Sequence, residues 1–203
     1  MKEERSTRAA LIAAAIAIFR QKGFQSARVS DIVAAAGVAQ GTFYNYFRSK
    51  EAIFREICND FIGQVRMIFA ERTDLMFSGE TAEEIRGNVH RVIRDVFSVY
   101  QQNLDAAELL LREGIGHGGL FKEIYEDILN QVLDLIRGQV NRGIARGVVH
   151  VSEPEMVSVF IFGLFERTLF YFLLVRKNMD LQRLEEALAD FILRGLSFEA
   201  PHR

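Results

Sequence analysis

The segment Val29–Lys50, VSDIVAAAGVAQGTFYNYFRSK, constrains this chain more than any other. Ile32, Val33 and Ala36 form an apolar stripe at i, i+1 and i+4, which predicts a helix from Val29 to Ala36. Gly37 supplies the positive φ that ends such a helix, and Val38 is expected as the buried residue of the turn. The next helix is expected over Gln40–Phe47. At about 100° per residue, Phe43 and Phe47 fall on one side. Gly41, Thr42 and Asn45 fall on the other, with Tyr46 beside them. The aromatic side can anchor a small core, and the polar side, thin at its N-terminal end, can approach a nucleic-acid groove. Two helices separated by three or four residues, with Gly in the turn, have the spacing of a DNA-binding helix-turn-helix.

Upstream, Leu11, Ile12, Ala15, Ile16 and Phe19 make an amphipathic first helix that Gly23 closes, with Phe24 packing back. The competing account is a three-helix packing unit with no DNA role. It leaves the coincidence of turn, glycine and polar face unexplained.

These residues carry a resemblance. The matching pieces are Gly23-Phe24, Asp31-Ile32, Ala36-Gly37-Val38, Gly41-Thr42-Phe43-Tyr44, Tyr46-Phe47 and Ser49-Lys50-Glu51. From Gly23 to Phe54 the chain resembles the DNA-binding domain of the TetR family of bacterial transcriptional regulators. One position departs: Arg28 stands where the family often has an N-capping Thr that also touches a phosphate. Arg cannot accept a capping bond, which leaves Ser26 or Ser30 for that task, although its guanidinium can still reach a phosphate. On this reading Gln40, Thr42 and Asn45 face base edges, and Gly41 lets the backbone close in. Arg28, Tyr44, Tyr46 and Lys50 are assigned to phosphates.

The net charge of −2 hides an asymmetry. Residues 1–50 hold eight basic side chains against Glu3, Glu4 and Asp31, a balance of +5; the remaining 17 basic and 24 acidic residues give −7. A basic head on an acidic body is expected where only the head meets phosphate. Cys58 is the lone cysteine, so no disulfide framework exists; beside Phe54, Ile57 and Phe61 it reads as core rather than redox sensor. The N-terminus has charges before an apolar run, but two are acidic and Arg20 and Lys22 follow without a cleavage site. It is expected to be the first helix of a cytoplasmic protein.

Everything after Lys50 reads as helix. Ser49 can cap a connecting helix over residues 50–72, and Thr81 opens one through Tyr100. A short helix spans Asp105–Arg112, and a long one runs from Phe121 to Arg146, ended by Gly147. Ser152-Glu153-Pro154-Glu155 starts a helix with Ser at the N-cap, running to about Lys177, and Asp180 caps a last one through Leu196. Met156–Val175 is apolar nearly all round, but Glu166 and Arg167 in its middle argue against a membrane span. Burial on every side is the better account, with a second subunit as one partner. The resemblance implies that the last two helices of each chain form a four-helix dimer interface, for which Leu184, Leu188, Phe191 and Ile192 are the candidates.

Other signals carry less. Gly114, Gly116 and Gly119 match GxGxxG but follow helical sequence, so an inter-helix loop is expected there. His90, His117, His150 and His202 are too scattered for a metal set, and neither metal nor cofactor is expected. The aromatics of the body exceed what a tight bundle requires. Phe97, Tyr100, Tyr125 and Phe170, with Arg112, Gly163, Glu166 and Arg167, are candidates for an apolar ligand pocket with a few polar fixtures. Gly143–Val148 and Ile161–Thr168 also resemble the fatty-acyl-CoA-responsive branch of the same family. An acyl-CoA is therefore the favoured effector, with a hydrophobic drug-like or aromatic compound as second choice.

The expectation is an all-α homodimeric repressor on a palindromic operator. Residues 1–50 form the DNA-binding domain, residues 51–203 bind the effector and dimerise, and movement of the 50–72 helix releases the DNA. A ligand-independent DNA-binding adaptor and an α-helical enzyme are the alternatives.

Overall fold

The computed structural model describes residues 2–71, 76–113, 120–178 and 180–196, and among them it is all-α, without a strand. The helices are α1 (Lys2–Lys22), α2 (Val29–Ala36), α3 (Gln40–Tyr46), α4 (Lys50–Glu71) and α5 (Ala82–Gln102). They continue with α6 (Leu104–Glu113), α7 (Leu120–Ala145), α8 (Pro154–Leu169) and α9 (Leu181–Gly195), and a π-helical segment (Phe170–Val175) follows α8. Among the described residues no helix is long and apolar enough to cross a membrane.

Packing divides the chain into two compact units, residues 1–62 with 103–128, and residues 63–102 with 129–203. The expected boundary at residue 50 is therefore corrected. The start of α4, all of α6 and the start of α7 pack with the head because they complete its core.

In the first unit, Leu11, Ala15 and Phe19 of α1 are buried with Phe24, Ile32, Phe43 and Phe54. The rings of Phe19, Phe24 and Phe54 close on one another at 5.1–5.9 Å. α6 is tied to α1 by Arg20, whose Nε donates to Glu108 at 3.0 Å while Nη1 pairs with Asp105. Cys58 is fully buried, and burial pushes its thiol pKa up to about 12.

In the second unit, Ile85, Val89, Ile93 and Phe97 of α5 bury against Leu188, Ala189, Ile192 and Leu193 of α9. One buried carboxylate sits in this seam. Glu185 accepts from Arg94 Nε and Nη2, both at 2.8 Å, and its Oε1 lies 3.3 Å from His90 Nδ1. Those hydrogen bonds, Arg94's first, hold its carboxyl below the usual range. The expected opening of α5 is present: Thr81 Oγ1 accepts from Glu84 N at 3.2 Å, and the Glu84 carboxylate accepts from Thr81 N at 3.4 Å. Gly147, at φ 68, turns the chain after α7, and Asp180 caps α9 by accepting from Arg183 N at 3.1 Å.

The start and end of α8 differ from expectation. The N-cap is Glu153, not Ser152, because the fixed φ of Pro154 suits the first helical position. α8 also stops at Leu169; the backbone widens into the π-helical segment, and Lys177 then takes a positive φ of 52°. Nor is this helix buried all round. Met156, Val159 and Phe160 are exposed, Phe160 at 64%.

Candidate nucleic-acid interface

α2 ends as its sequence demands. Gly37 adopts φ 67°, and its N–H and that of Val38 return to the carbonyls of Ala34 and Val33 at 3.3 and 3.1 Å, closing the turn. Val38 is half-buried rather than buried, since only part of it faces the small core. α3 then leaves with its two faces sharply divided. Phe43 and Phe47 are buried, with ring centroids 5.7 Å apart, while Gln40, Gly41, Tyr44 and Asn45 are exposed and Thr42 and Tyr46 half-buried. Exposed amide tips beside a glycine, on a helix held from behind by two phenylalanines, can enter a major groove and hydrogen-bond base edges.

Arg28 is exposed and extended at the N-cap of α2, and neither Ser26 nor Ser30 caps that helix. Asp31 does the work instead. Its carboxylate accepts from Arg28 N at 3.0 Å and from Lys22 Nζ at 2.7 Å, and these bonds, Lys22's first, lower its pKa. A third-position acid three residues after the cap is the signal that could have found this arrangement.

Lys50 must be withdrawn from the phosphate set. Its ammonium donates to the carbonyls of Phe24, Gln25 and Ala27 at 2.8, 3.0 and 3.0 Å, using all three of its protons inside the protein. Arg48, one step past α3's last buried ring, is exposed and offers a cation where Lys50 does not.

Among the described residues, neither cavity seen in the second unit is lined by the expected ligand residues. In the second unit Phe97 is buried against Phe165, at a ring separation of 5.7 Å. Burial, then the negative charge of Glu166, pushes up the pKa of Tyr100. Arg167, however, is exposed and lies over the Phe170 ring at 5.2 Å, and a Cβ on Gly163 would meet nothing within 4 Å. Tyr125 belongs to the first unit, and the side chain of Arg112, the loop 114–119, His117 and His202 lie outside the described residues. One cavity within the second unit is walled by Phe77, Val96, Gln139, Ile161, Phe165 and Ile192 among others, with a volume of ≈ 40 Å³.

The expected dimer residues split in two. Leu188 and Ile192, at 6% and 3% exposure, belong to the subunit's own core because α9 turns them onto α5. Phe191 is 62% exposed and Leu184 half-buried, so these two stay on the outer face.

Residues 11–57 match the family model for bacterial regulatory proteins of the tetR family. Over 198 residues the chain is 26% identical to the fatty acid metabolism regulator protein of Bacillus subtilis, covering 97% of this chain and 98% of that one. It is 36% identical over 103 residues to an uncharacterized HTH-type transcriptional regulator, YdgC, of the same organism, a match spanning 51% of this chain and 52% of the relative. Its fold is similar to that of the transcriptional regulator FadR from Bacillus subtilis, solved in complex with stearoyl-CoA, with a TM-score of 0.77 and 23% identity over 92% of this chain and 98% of that one. Residues 11–57 thus carry the DNA-binding module of the tetR family of bacterial regulatory proteins, and the chain is similar to regulators with that module along nearly its whole length.

Proposed function

We propose that the protein is a homodimeric repressor that grips a near-palindromic operator through α3 and releases it when a long apolar effector enters the second unit. The division of α3 into a buried aromatic face and an exposed Gln40–Gly41–Asn45 face carries the DNA part of this reading. Gln40, Thr42 and Asn45 are assigned to base edges, and Arg28, Tyr44, Tyr46 and Arg48 to phosphates. Such a protein acts in the cytoplasm, where its operator is, and its relatives' names describe regulators rather than enzymes.

Dimerisation is supported by an uncovered apolar face. Met156, Val159 and Phe160 of α8, Val175 of the π-helical segment and Phe191 of α9 are all exposed. An open groove of ≈ 630 Å³ bounded by Phe172, Leu184, Leu188 and Phe191 adjoins them. A second copy supplies a matching surface through a two-fold axis.

For the effector, a fatty acyl-CoA is favoured because the full-length relative is named for fatty acid metabolism and the similar structure holds stearoyl-CoA. Ligand sites usually occupy about 300–1,000 Å³, far more than the ≈ 40 Å³ present. An effector seated in that cavity selects a wider conformation of the second unit, and that selectivity couples it to DNA release. The test is fluorescence anisotropy on DNA from upstream of the protein's own gene, titrated with acyl-CoAs of increasing length and with free coenzyme A. Length-dependent release is expected. Failure to retain any specific DNA overturns the repressor reading, and release independent of chain length overturns the effector.

A further inference from the structure

One cavity in the second unit is walled by apolar atoms throughout. Gln139 of α7 is 3% exposed and is the only polar side chain among its described lining residues. Arg142 follows it by three residues, so the two side chains leave α7 about 60° apart. Gly143, the next residue, packs where Phe77, another wall residue, would stand 3.1 Å from an added Cβ. Arg142 is thus flanked on α7 by residues that meet the cavity wall.

Its own environment is unusual. The Nε–H of Arg142 is shut off from solvent and has no hydrogen-bond partner, and no ion pair of this guanidinium is found among the described residues. The terminal nitrogens fold back over Gly138, 3.6 and 3.8 Å from where a Cβ would sit. Neighbouring arginines are treated differently: Arg137 pairs with Asp134 at 2.6 Å, and Arg146 donates to the Gly79 carbonyl. A guanidinium donor buried without an acceptor costs stability, and a bound anion is one group that can satisfy it.

We infer that Arg142 is the anion anchor of the effector site, holding the charged end of an alkyl ligand whose tail enters the cavity walled by Gln139 and Phe77. This rests on the effector reading above and deepens it. The anion is a carboxylate at the chain's end or a phosphate of an attached coenzyme A; both accept from a guanidinium in the same way. Hydrocarbon walls receive the tail.

The test is calorimetric titration of the full chain with laurate, lauroyl-CoA, dodecanol and coenzyme A. The parent protein should bind an anionic twelve-carbon ligand more tightly than dodecanol. Arg142→Met should weaken that ligand about ten- to a hundredfold and leave dodecanol unchanged, while Arg137→Met should change neither. A loss confined to lauroyl-CoA identifies the phosphate as the bound anion; a loss extending to laurate identifies the carboxylate. Without ligand, Arg142→Met should melt at or above the parent's midpoint, because the variant loses an unpartnered buried donor. A lowered midpoint assigns Arg142 to the fold and overturns the inference. Gln139→Glu is a second route: the new carboxylate should occupy the guanidinium and weaken anionic ligands alone. Undiminished binding of the anionic ligand by both variants overturns the anchor and leaves the effector reading intact. If the parent binds none of the four compounds, the effector reading falls and the anchor falls with it.

Discussion

Lys50 sits with its ammonium 4.6 Å from the centre of the Phe24 ring and donates to the carbonyl oxygen of that same residue at 2.8 Å. The first residue of α4 thereby clamps the turn between α1 and α2. It braces the head that carries α3 from within. Lys50→Met should destabilise the head by about 1–3 kcal/mol, seen as a lower thermal midpoint. The salt dependence of operator binding should stay as in the parent. Arg28→Ala should do the reverse, flattening log K against log salt by about one unit while leaving the midpoint alone. A salt slope that drops in the Lys50 variant would return this residue to the phosphate set.

Base reading is expected from the exposed face of α3. Gln40→Ala and Asn45→Ala should each cost about 1–3 kcal/mol of operator binding and relax preference at particular base pairs. Competition against an operator library measures both effects. Uniform weakening across all sequences would mean that these side chains meet only the backbone.

The apolar face of α8 and α9 gives a prediction about assembly. Phe160 and Phe191 are already 64% and 62% exposed, so changing both to Glu should leave the folded subunit intact and yield monomers in sedimentation velocity. Leu188→Glu should instead lose the folded state, because that side chain faces α5. A parent protein that sediments as a monomer at micromolar concentration contradicts the dimer outright.

The seam between α5 and α9 should be acid-sensitive. Arg94's hydrogen bonds hold Glu185 below its ordinary pKa of 4.5, so the folded state keeps the proton off longer than the unfolded chain does. The stabilisation is complete above that value and is lost as pH falls through the folded pKa. Denaturant midpoints should decline over this range, and Glu185→Gln should flatten the decline. At neutral pH the same change should cost about 1–3 kcal/mol.

Cys58 should resist thiol reagents at pH 8 until the protein unfolds, since burial holds its pKa at about 12. Reaction of the native protein at the rate of a free thiol would show that the first unit opens around α4.

How much of this was legible beforehand depended on how local the physics was. The bounds of α2, the turn at Gly37, the faces of α3 and the caps at Thr81 and Asp180 are written in short-range patterns, and each stands where those patterns place it. The all-α class and the family signature follow from the same periodicities and from a motif of contiguous residues. Tertiary structure decided whatever depended on distant partners. An apolar stripe on α9 cannot reveal which half turns to its own core, and Leu188 and Ile192, expected at a dimer interface, are buried within the subunit instead. A lysine after a recognition helix looks like a phosphate ligand until three carbonyls from residues 24–27 converge on it. Glu185 and Arg142 are ordinary charged residues in sequence. Only folding brings Glu185 to Arg94, 91 residues away, and leaves the Arg142 Nε–H shut off from water without an acceptor. Patterning along the chain records which residues prefer burial, whereas charge pairing and cavity walls depend on distances that exist only once the helices have packed.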